Sequence, residues 1–307
     1  MTVNAAYQTQ ICSQIVHESG QGHAIAQFGE LFQGVARDDE GKLHRCLVSL
    51  PCDKLSSTAK FISAASGDLL VTPASKQKAQ KAARIALEYL GSPVQSGTLI
   101  VESNIPEGKG MGSSTADCIA SIMAVAAVLE RRPEPQQVAE IVVKAETASG
   151  NVMFNQPVLF AHREGRVLEN YFRSVPTMLV LGFDTEGDKI VETLLFPPAV
   201  YSAKEIEQFR VLRAALRRAI LTHDARLLGS VATASAEINQ KFLPKPLFAE
   251  ICHSLREVTV LGVAVAHSGT VSSILLDAQD PQCNAKVDLI LSRLESFGIQ
   301  NILQFRT

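Results

Sequence analysis

Residues 106–118 read PEGKGMGSSTADC, and a helical pattern of apolar residues follows them directly. Three glycines stand at alternate positions in this stretch: Gly108, Gly110 and Gly112. Because glycine lacks a Cβ, such a backbone can turn several N–H groups toward one anion, and the positive end of the following helix faces the same place. Three hydroxyl side chains stand where that helix begins: Ser113, Ser114 and Thr115. The stretch therefore predicts a phosphate-binding loop, with a plain structural turn as the alternative.

Two well-known phosphate motifs do not match this loop. The Walker A motif ends in Gly-Lys-Ser/Thr, whereas Lys109 lies between the glycines and well before the serines. The dinucleotide fingerprint is GxGxxG, and here Ser113 stands where its third glycine belongs. The sequence thus predicts a phosphate loop of a third kind.

The composition excludes several classes of protein. The chain has 307 residues, of which 46% are apolar and 20% charged, and its formal net charge is −2. These values are typical of a globular protein of one large or two medium domains, without a basic field for nucleic acid or anionic membrane. No apolar run is long enough to span a bilayer, and the N-terminal MTVNAAYQTQ lacks a signal-peptide layout. Six scattered cysteines without a CxxC pair favour a reduced, cytoplasmic location and no metal cluster.

The periodicity of apolar residues predicts an α+β protein. Strands are predicted at 24–34, with breaks at Gly29 and Gly34, and at 47–53, 56–65, 98–106, 178–184 and 301–305. Helices are predicted at 76–90, 114–131, 135–145, 204–221, 225–240 and 286–297, and around Ile251 and Leu255. The pattern changes near FRSVPT (172–177), which divides the chain into an N-terminal domain, 1–174, and a C-terminal domain, 175–307.

Three stretches together resemble the GHMP kinases, the group that contains galactokinase, homoserine kinase and mevalonate kinase. PEGKGMGSSTAD (106–117) resembles their signature Pro-x-x-x-Gly-Leu/Met-Gly-Ser-Ser-Ala. AIAQFGELFQG (24–34) stands where their N-terminal strand and Gly-Glu belong, and GVAVAHSGTVSSILLD (262–277) stands where their C-terminal glycine-containing motif belongs. The order of the three stretches is that of the family.

The L-threonine kinases of cobalamin synthesis offer a more detailed likeness. Four of their elements resemble residues of this chain, at 29–34, 110–117, 243–246 and 266–269. The resemblance implies an ATP-dependent kinase that phosphorylates the side-chain hydroxyl of an amino acid, converting L-threonine to O-phospho-L-threonine. Serine, homoserine or a modified amino acid remain open as acceptors, as does another hydroxylated acceptor in a natural-product or siderophore pathway.

The resemblance also implies a two-domain fold, with an N-terminal domain like domain 2 of ribosomal protein S5 and a ferredoxin-like C-terminal domain. ATP would bind the N-terminal domain with its phosphates at the glycine loop, held by Pro106, Gly108, Lys109, Gly110, Met111, Gly112, Ser113, Ser114 and Thr115. Lys109 would neutralise phosphate charge, and the hydroxyl of Ser114 would reach Mg²⁺, so both residues are candidate catalytic groups.

The acceptor is expected between the domains, as the family resemblance implies. Six residues are candidates to bind it: Glu30, Gln33, His267, Ser268, Gly269 and Thr270. Each of the two ionisable candidates also has a purely structural interpretation. His267 could be satisfied within its own turn, and Glu30, costly to bury alone, could be a structural hydrogen-bonding carboxylate.

One family feature is absent. In many GHMP kinases a glutamate on the helix after RRPEP (131–135) binds Mg²⁺, and an aspartate eleven residues later orients or deprotonates the acceptor. Glu140 fits the glutamate, with Glu146 as the alternative, but Asn151 or Gly150 occupies the place of the aspartate, depending on the alignment.

The missing aspartate leaves two interpretations open. Asn151 could orient the acceptor hydroxyl in an active kinase, since phosphoryl transfer depends mainly on positioning and charge stabilisation. Alternatively, the chain is a non-catalytic ligand-binding protein on the same scaffold. The active kinase is the favoured interpretation; its expected partners are a small-molecule acceptor and a second copy of the chain in a homodimer, with no nucleic acid and no membrane.

Overall fold

Two long antiparallel strands run through the centre of the molecule. They are β1 (Ser19–Arg37) and β2 (Leu43–Ala64), paired along most of their length. The computed structural model describes residues 18–187 and 199–307. Within these ranges all strands join one sheet with the order β10-β7-β9-β8-β1-β2-β4-β3, and the β5–β6 hairpin is attached to β2.

Helices and short strands of the N-terminal half surround the β1–β2 pair. In chain order these elements are β3 (Leu69–Thr72), α1 (Gln77–Tyr89), β4 (Ser96–Ser103), α2 (Ser113–Val128), α3 (Pro135–Glu146), β5 (Val158–Ala161) and β6 (Arg166–Asn170). Helix α2 is apolar on nearly all sides because it is enclosed by β1, β2, α1 and α3.

The C-terminal half continues the sheet on the other side of β1. Its elements are β7 (Met178–Asp184), α4 (Ala203–Leu221), α5 (Ala225–Asn239), α6 (Phe248–Ser254), β8 (Gly262–Val265), β9 (Val271–Asp277), α7 (Cys283–Ser296) and β10 (Leu303–Arg306). Strand β8 meets β1 at a single residue pair, Glu30 with Val265. Strands from both halves therefore share one sheet, and the division at residue 175 stays a prediction.

The predicted helices and the α+β class agree with the structure, whereas several strand predictions need correction. β1 does not break at Gly34, where a Cβ would overlap the ring of Phe209. At Gly29, whose φ is +90°, the strand bulges and continues. Segments 47–53 and 56–65 form one strand, β2. Five strands were not predicted: β3, β5, β6, β8 and β9. All but β9 have only four or five residues, which carry too little periodicity.

No helix in the ranges 18–187 and 199–307 combines the length and hydropathy that crossing a bilayer requires.

Glycine at position 22 allows β1 to lie directly against α2. A Cβ at Gly22 would overlap the carbonyl oxygen of Ala120 and lie 2.6 Å from the backbone nitrogen of Ala124. We expect Gly22→Ala to lower the free energy of unfolding by about 3 kcal/mol, because backbone cannot yield as a side chain can. Gly41→Ala is the control: its Cβ meets open space, and only the φ of +82° should cost about 1 kcal/mol. Urea denaturation measures both free energies of unfolding, and equal losses for Gly22→Ala and Gly41→Ala would contradict this account of the packing.

Candidate active site

A cleft of about 600 Å³ opens beside the glycine loop. We use the name glycine loop for residues 106–112. The cleft is also lined by the start of α1, the start of α2, residues that follow α3, and the turn between β8 and β9. It therefore lies where the two halves of the sheet meet.

The glycine loop has the backbone conformation that its sequence predicts. Gly108, Gly110 and Gly112 have φ values of +69°, +82° and +73°, which residues with a Cβ rarely adopt. Gly112 is the N-cap of α2, and no side chain of the described residues caps that helix end. The first N–H groups of α2 thus remain available for an anion, at the end where the helix dipole is positive.

The loop is held in place by the elements on both sides of it. The N–H of Gln27, on β1, donates to the carbonyl oxygen of Met111 over 3.1 Å, and the N–H of Thr270 donates to that of Lys109 over 3.0 Å. A Cβ on Gly110 would overlap the carbonyl oxygen of Ser268. Because Thr270 and Gly269 pack on the outside of the loop, they do not line the cleft, contrary to the expectation for both residues.

Lys109 also differs from the sequence expectation. Its ammonium lies 2.8 Å from a carboxylate oxygen of Asp184, on β7, and it donates to the carbonyl oxygen of Gly187. The charge on Asp184 attracts the ammonium, so Lys109 does not line the cleft as the other predicted loop residues do. Its role as a group that neutralises phosphate charge is therefore not supported by its position.

The hydroxyl groups at the start of α2 face Glu146, at the end of α3. The Thr115 hydroxyl donates to Oε1 of Glu146 over 2.6 Å. The Oγ of Ser114 is buried without a hydrogen-bond partner among the described residues. Burial raises the pKa of Glu146, and the nearby hydroxyls of Ser114 and Thr115 oppose that rise. Oxygen atoms of this kind suit Mg²⁺, which needs few protein ligands beside phosphate and water.

The structure does not bring Glu140 to the cleft. Its carboxylate accepts a hydrogen bond of 3.2 Å from Gln136, on the same helix, and Glu140 is absent from the cleft lining. Six residues separate Glu140 from Glu146 along the helix. At 3.6 residues per turn they cannot both face the glycine loop. Glu146 is thus the better-placed candidate for the metal.

Ion pairs connect the start of α1 with the glycine loop and with α2. Lys76, which immediately precedes α1, lies 2.7 Å from Oδ2 of Asp117 and 2.6 Å from Oε1 of Glu107. The second oxygen of Asp117 accepts from the hydroxyl of Ser57 over 2.6 Å. Sequence reasoning did not single out Lys76 or Asp117, although Asp117 stands in the quoted motif. Lys76 lines the cleft with its charge paired to these two carboxylates.

Glu30, His162 and His267 line the opposite side of the cleft. Glu30 is 1% exposed, and burial raises its pKa to about 8 despite the opposing effects of Ser49 and the backbone of His267. The rings of His162 and His267 meet edge to face with centroids 4.7 Å apart. Burial, followed by the charge of Lys245, lowers the pKa of His267 to about 4. Both histidines are therefore neutral at physiological pH, since the pKa of His162 is also well below its usual value because of burial.

A smaller cavity of about 60 Å³ adjoins this side of the cleft, and both are lined by Arg163, His267 and Ser268. Arg45 also lines the smaller cavity, and burial together with the charge of Arg163 lowers the pKa of Arg45. Gln33 lines the same cavity while its amide donates to the carbonyl oxygen of Val265 over 3.0 Å. The two guanidinium groups make this side cavity electropositive.

The side-chain amide of Asn151 is hydrogen-bonded to backbone groups on both sides. Its Oδ1 accepts from the N–H of Ser49 over 3.1 Å, and its Nδ2 donates to the carbonyl oxygen of Val158 over 2.9 Å. Asn151 does not line the cleft, whereas Gly150 does. The expected contact of Asn151 with an acceptor is therefore not supported by its position, because its amide already joins β2 to the start of β5.

Comparisons with known proteins agree with this architecture. Residues 77–161 match the model of the GHMP kinases N terminal domain. An L-threonine kinase of Salmonella typhimurium is 30% identical over 268 residues, which cover 84% of this chain and 84% of that protein. An L-threonine kinase of Citrobacter freundii is 30% identical over 192 residues, 58% of this chain and 61% of that protein.

Solved structures share the fold at lower identity. A homoserine kinase from Cytophaga hutchinsonii matches with a TM-score of 0.68 and 14% identity, over 96% of each chain. A mevalonate kinase from methicillin-resistant Staphylococcus aureus matches with a TM-score of 0.60 and 13% identity, over 94% of this chain and 98% of that one. At these identities the structural matches bear on the fold alone.

The two glutamates of α3 provide a matched pair for a binding experiment. We expect Glu146→Gln to weaken ATP binding in the presence of Mg²⁺ by roughly tenfold or more, because it removes a charged oxygen ligand. Without Mg²⁺ the affinities of the variant and the parent protein should be similar. Glu140→Gln should match the parent in both conditions. Titration calorimetry with and without EDTA measures these affinities, and a larger effect of Glu140→Gln would move the metal site along the helix.

Proposed function

This chain belongs to the GHMP kinase family and is an ATP-dependent phosphotransferase, and on that premise we propose that it transfers the γ-phosphoryl group to the side-chain hydroxyl of L-threonine. The product would be O-phospho-L-threonine. The names of the relatives that share 30% identity support this acceptor. Among the features of the site, the electropositive side cavity next to Glu30 and His267 is the observation that carries the choice of an amino acid.

The glycine loop and the first turn of α2 are suited to the phosphates of ATP. Their free N–H groups, glycine backbone and helix dipole all favour a polyanion at one end of the cleft. Lys76, paired with Asp117 and Glu107, lines the same cleft. We assign the phosphate contacts to Gly108, Gly110, Gly112 and the residues 113–115.

Mg²⁺ fits the oxygen atoms at the start of α2. Ser114 Oγ, which lacks a partner among the described residues, and the carboxylate of Glu146 would hold it. When bound, the ion supplies positive charge that stabilises the phosphate oxygens during transfer. Thr115 orients Glu146 through its hydrogen bond.

The acceptor fits the opposite side of the cleft. Arg45 and Arg163 would bind its carboxylate in the side cavity, because guanidinium groups pair with carboxylates through two hydrogen bonds. Neutral His267 and Ser268 lie between this cavity and the main cleft and offer polar contacts to the rest of the amino acid. An acceptor without a carboxylate would leave these two positive charges uncompensated.

The proposed acceptor can be tested by ADP release with Mg-ATP against a panel of hydroxy amino acids. We expect release that depends on L-threonine, with a phosphomonoester in the product by ³¹P NMR. L-serine and L-homoserine test the fit around the hydroxyl, and 1-amino-2-propanol tests the carboxylate. An acceptor-free reaction gives the background. Faster release with 1-amino-2-propanol than with L-threonine would contradict the proposed carboxylate contact.

Two neighbouring arginines allow the carboxylate contact to be tested. We expect Arg163→Gln to raise the KM for L-threonine about tenfold or more, because a charged hydrogen bond to the carboxylate is lost, and to leave the KM for ATP nearly unchanged. Arg166→Gln is the control, since Arg166 forms an ion pair with Asp38 outside the cleft. Steady-state kinetics with each substrate varied in turn gives both constants. Equal effects of the two substitutions on the KM for L-threonine would contradict this placement.

A further inference from the structure

We propose that Glu30, positioned by Gln27, accepts the proton of the acceptor hydroxyl in place of the aspartate that this chain lacks. The inference rests on the proposed function in that it requires a hydroxylated acceptor, but it does not require L-threonine. It assigns a catalytic role to the carboxylate of β1 and a positioning role to the amide three residues before it.

Gln27 occupies the space that a side chain at position 150 would need. A Cβ on Gly150 would overlap Oε1 of Gln27 and lie 2.9 Å from its Cδ. On its other side, Gln27 packs against the end of the glycine loop, where a Cβ on Gly112 would lie 3.1 Å from its Cγ. An aspartate at position 150 would therefore displace the amide of Gln27, which stands between the glycine loop and that position.

The same amide fixes the orientation of Glu30. Nε2 of Gln27 donates to Oε1 of Glu30 over 3.0 Å, while the Ser49 hydroxyl donates to Oε1 of Gln27 over 3.1 Å. These two bonds settle which end of the amide faces the carboxylate. Only one carboxylate oxygen is used in this way, because Oε2 of Glu30 is buried without a partner among the described residues. Ser49 and the backbone of His267 lie near enough to the carboxylate to lower its pKa, but they do not offset the effect of burial, so the second oxygen requires a further explanation.

The backbone places this oxygen at the junction of the two halves. The bulge at Gly29 lies between the register positions of Gln27 and Glu30, and Glu30 is the residue of β1 that pairs with β8. Glu30 lines the same cleft as Gly110, Gly112 and His267. It therefore shares one cleft with the proposed phosphate contacts and with the proposed acceptor contacts.

The other carboxylates that line the cleft already have ion-pair or hydrogen-bond partners. Among the residues that the structure describes, four carboxylates line it: Glu30, Glu107, Asp117 and Glu146. Glu107 and Asp117 form ion pairs with Lys76, and Glu146 accepts the hydrogen bond of Thr115 beside Ser114. Glu30 is the member of this set that has a carboxylate oxygen without a hydrogen-bond partner.

In the proposed step, the acceptor oxygen forms a bond to the γ-phosphorus while the bond between that phosphorus and the β–γ bridging oxygen breaks. The electron pair of the broken bond leaves with ADP. The proton of the acceptor hydroxyl passes to Oε2 of Glu30 and later to solvent. No oxidant or further reactant is needed. A carboxylate whose pKa lies near the working pH suits such a transfer, and burial places that of Glu30 at about 8.

A pH profile can identify this proton acceptor by comparison of Glu30→Gln with the parent enzyme, because every other titratable group of the cleft is present in both proteins. The charged and titratable residues that share the cleft with Glu30 are Lys76, Lys78, Glu107, Asp117, Glu146, His162, Arg163 and His267. Burial lowers the pKa of His267 to about 4, and it also lowers the pKa of His162 well below its usual value. The α-amino group of the acceptor titrates equally for parent enzyme and variant, so a comparison of the two cancels it.

The first experiment compares Glu30→Gln with the parent enzyme between pH 5.5 and 9.5, using the acceptor that gives the fastest ADP release. We expect the parent kcat/KM to rise about tenfold per pH unit and to level off near pH 8, and the variant to lose this rise. Its kcat should fall about 100-fold or more, with ATP affinity unchanged. A variant rate within threefold of the parent, or an unchanged pH profile, would overturn the proposal.

Gln27→Met tests the positioning role. The substitution keeps the approximate length of the side chain and removes the N–H donor to Glu30. Loss of this donor favours the protonated form of the Glu30 carboxyl group. We expect the rise in kcat/KM to move to higher pH and kcat to fall. An unmoved pH profile would show that Gln27 only fills space. Arg37→Met, at an exposed position of the same strand, is the control and should reproduce the parent profile.

Stability measurements test the state of Glu30 without any acceptor. Its folded pKa lies above the ordinary value of 4.5, so the parent protein loses stability as pH rises from about 4.5 through about 8. Glu30→Gln lacks this loss, and we expect its midpoint of thermal unfolding to exceed that of the parent at pH 8 and to match it at pH 4. A variant that fails to fold, or is less stable at pH 8, would make Glu30 a structural residue and overturn the proposal.

Failure of the two proposals can be told apart. If another hydroxylated compound replaces L-threonine as acceptor, the L-threonine assignment fails, and the pH comparison is made with that compound. If L-threonine is phosphorylated and Glu30→Gln retains the parent profile, the role of Glu30 fails and the acceptor assignment stands.

Discussion

The structure depends on the contact of two backbone segments at a place where no Cβ fits. Gly110 of the glycine loop lies against Ser268, and Gly269 lies against the backbone of Lys109. Any other residue type would separate the segments, and with them the sheet strands on either side of β1. The phosphate end and the acceptor end of the cleft are close together because this contact is close. The N–H of Thr270, bonded to the carbonyl oxygen of Lys109, fixes the same junction in register.

Charge is distributed unequally across the cleft that results. One side combines a helix N-terminus with oxygen atoms, among them Ser114 Oγ and Glu146, and is suited to a metal-bound polyanion. The other side carries Arg45 and Arg163. Buried Glu30 lines the same cleft, and its pKa is raised because burial penalises its charged form more than nearby hydrogen bonds favour it. A low dielectric therefore makes the same residue costly for stability and suitable as a proton acceptor.

The missing aspartate shows how a motif and its surroundings constrain each other. In the sequence, neither Gly150 nor Asn151 is the aspartate of the family, and Asn151 is the expected substitute for it. In the structure, Asn151 is bonded to the backbone of Ser49 and Val158, and Gln27 fills the space beside Gly150. Because Gln27 is more than 120 residues away in the chain, no local pattern connects the two positions. Lys109 illustrates the same limit, since its partner Asp184 belongs to a strand of the other half.

The sequence by itself determined the features that depend on local chemistry. Glycine spacing and hydroxyl groups specified the loop at the start of α2, apolar periodicity specified the long helices, and the ordered motifs predicted the GHMP kinase fold, which is confirmed by the relatives and the solved structures. Tertiary structure alone decided which polar side chains meet: Glu146 instead of Glu140 at Ser114, Lys76 with Asp117, and Gln27 with Glu30. The reason is physical. Backbone conformation and helix formation follow from neighbours in the chain, whereas burial, pairing and pKa follow from neighbours in space.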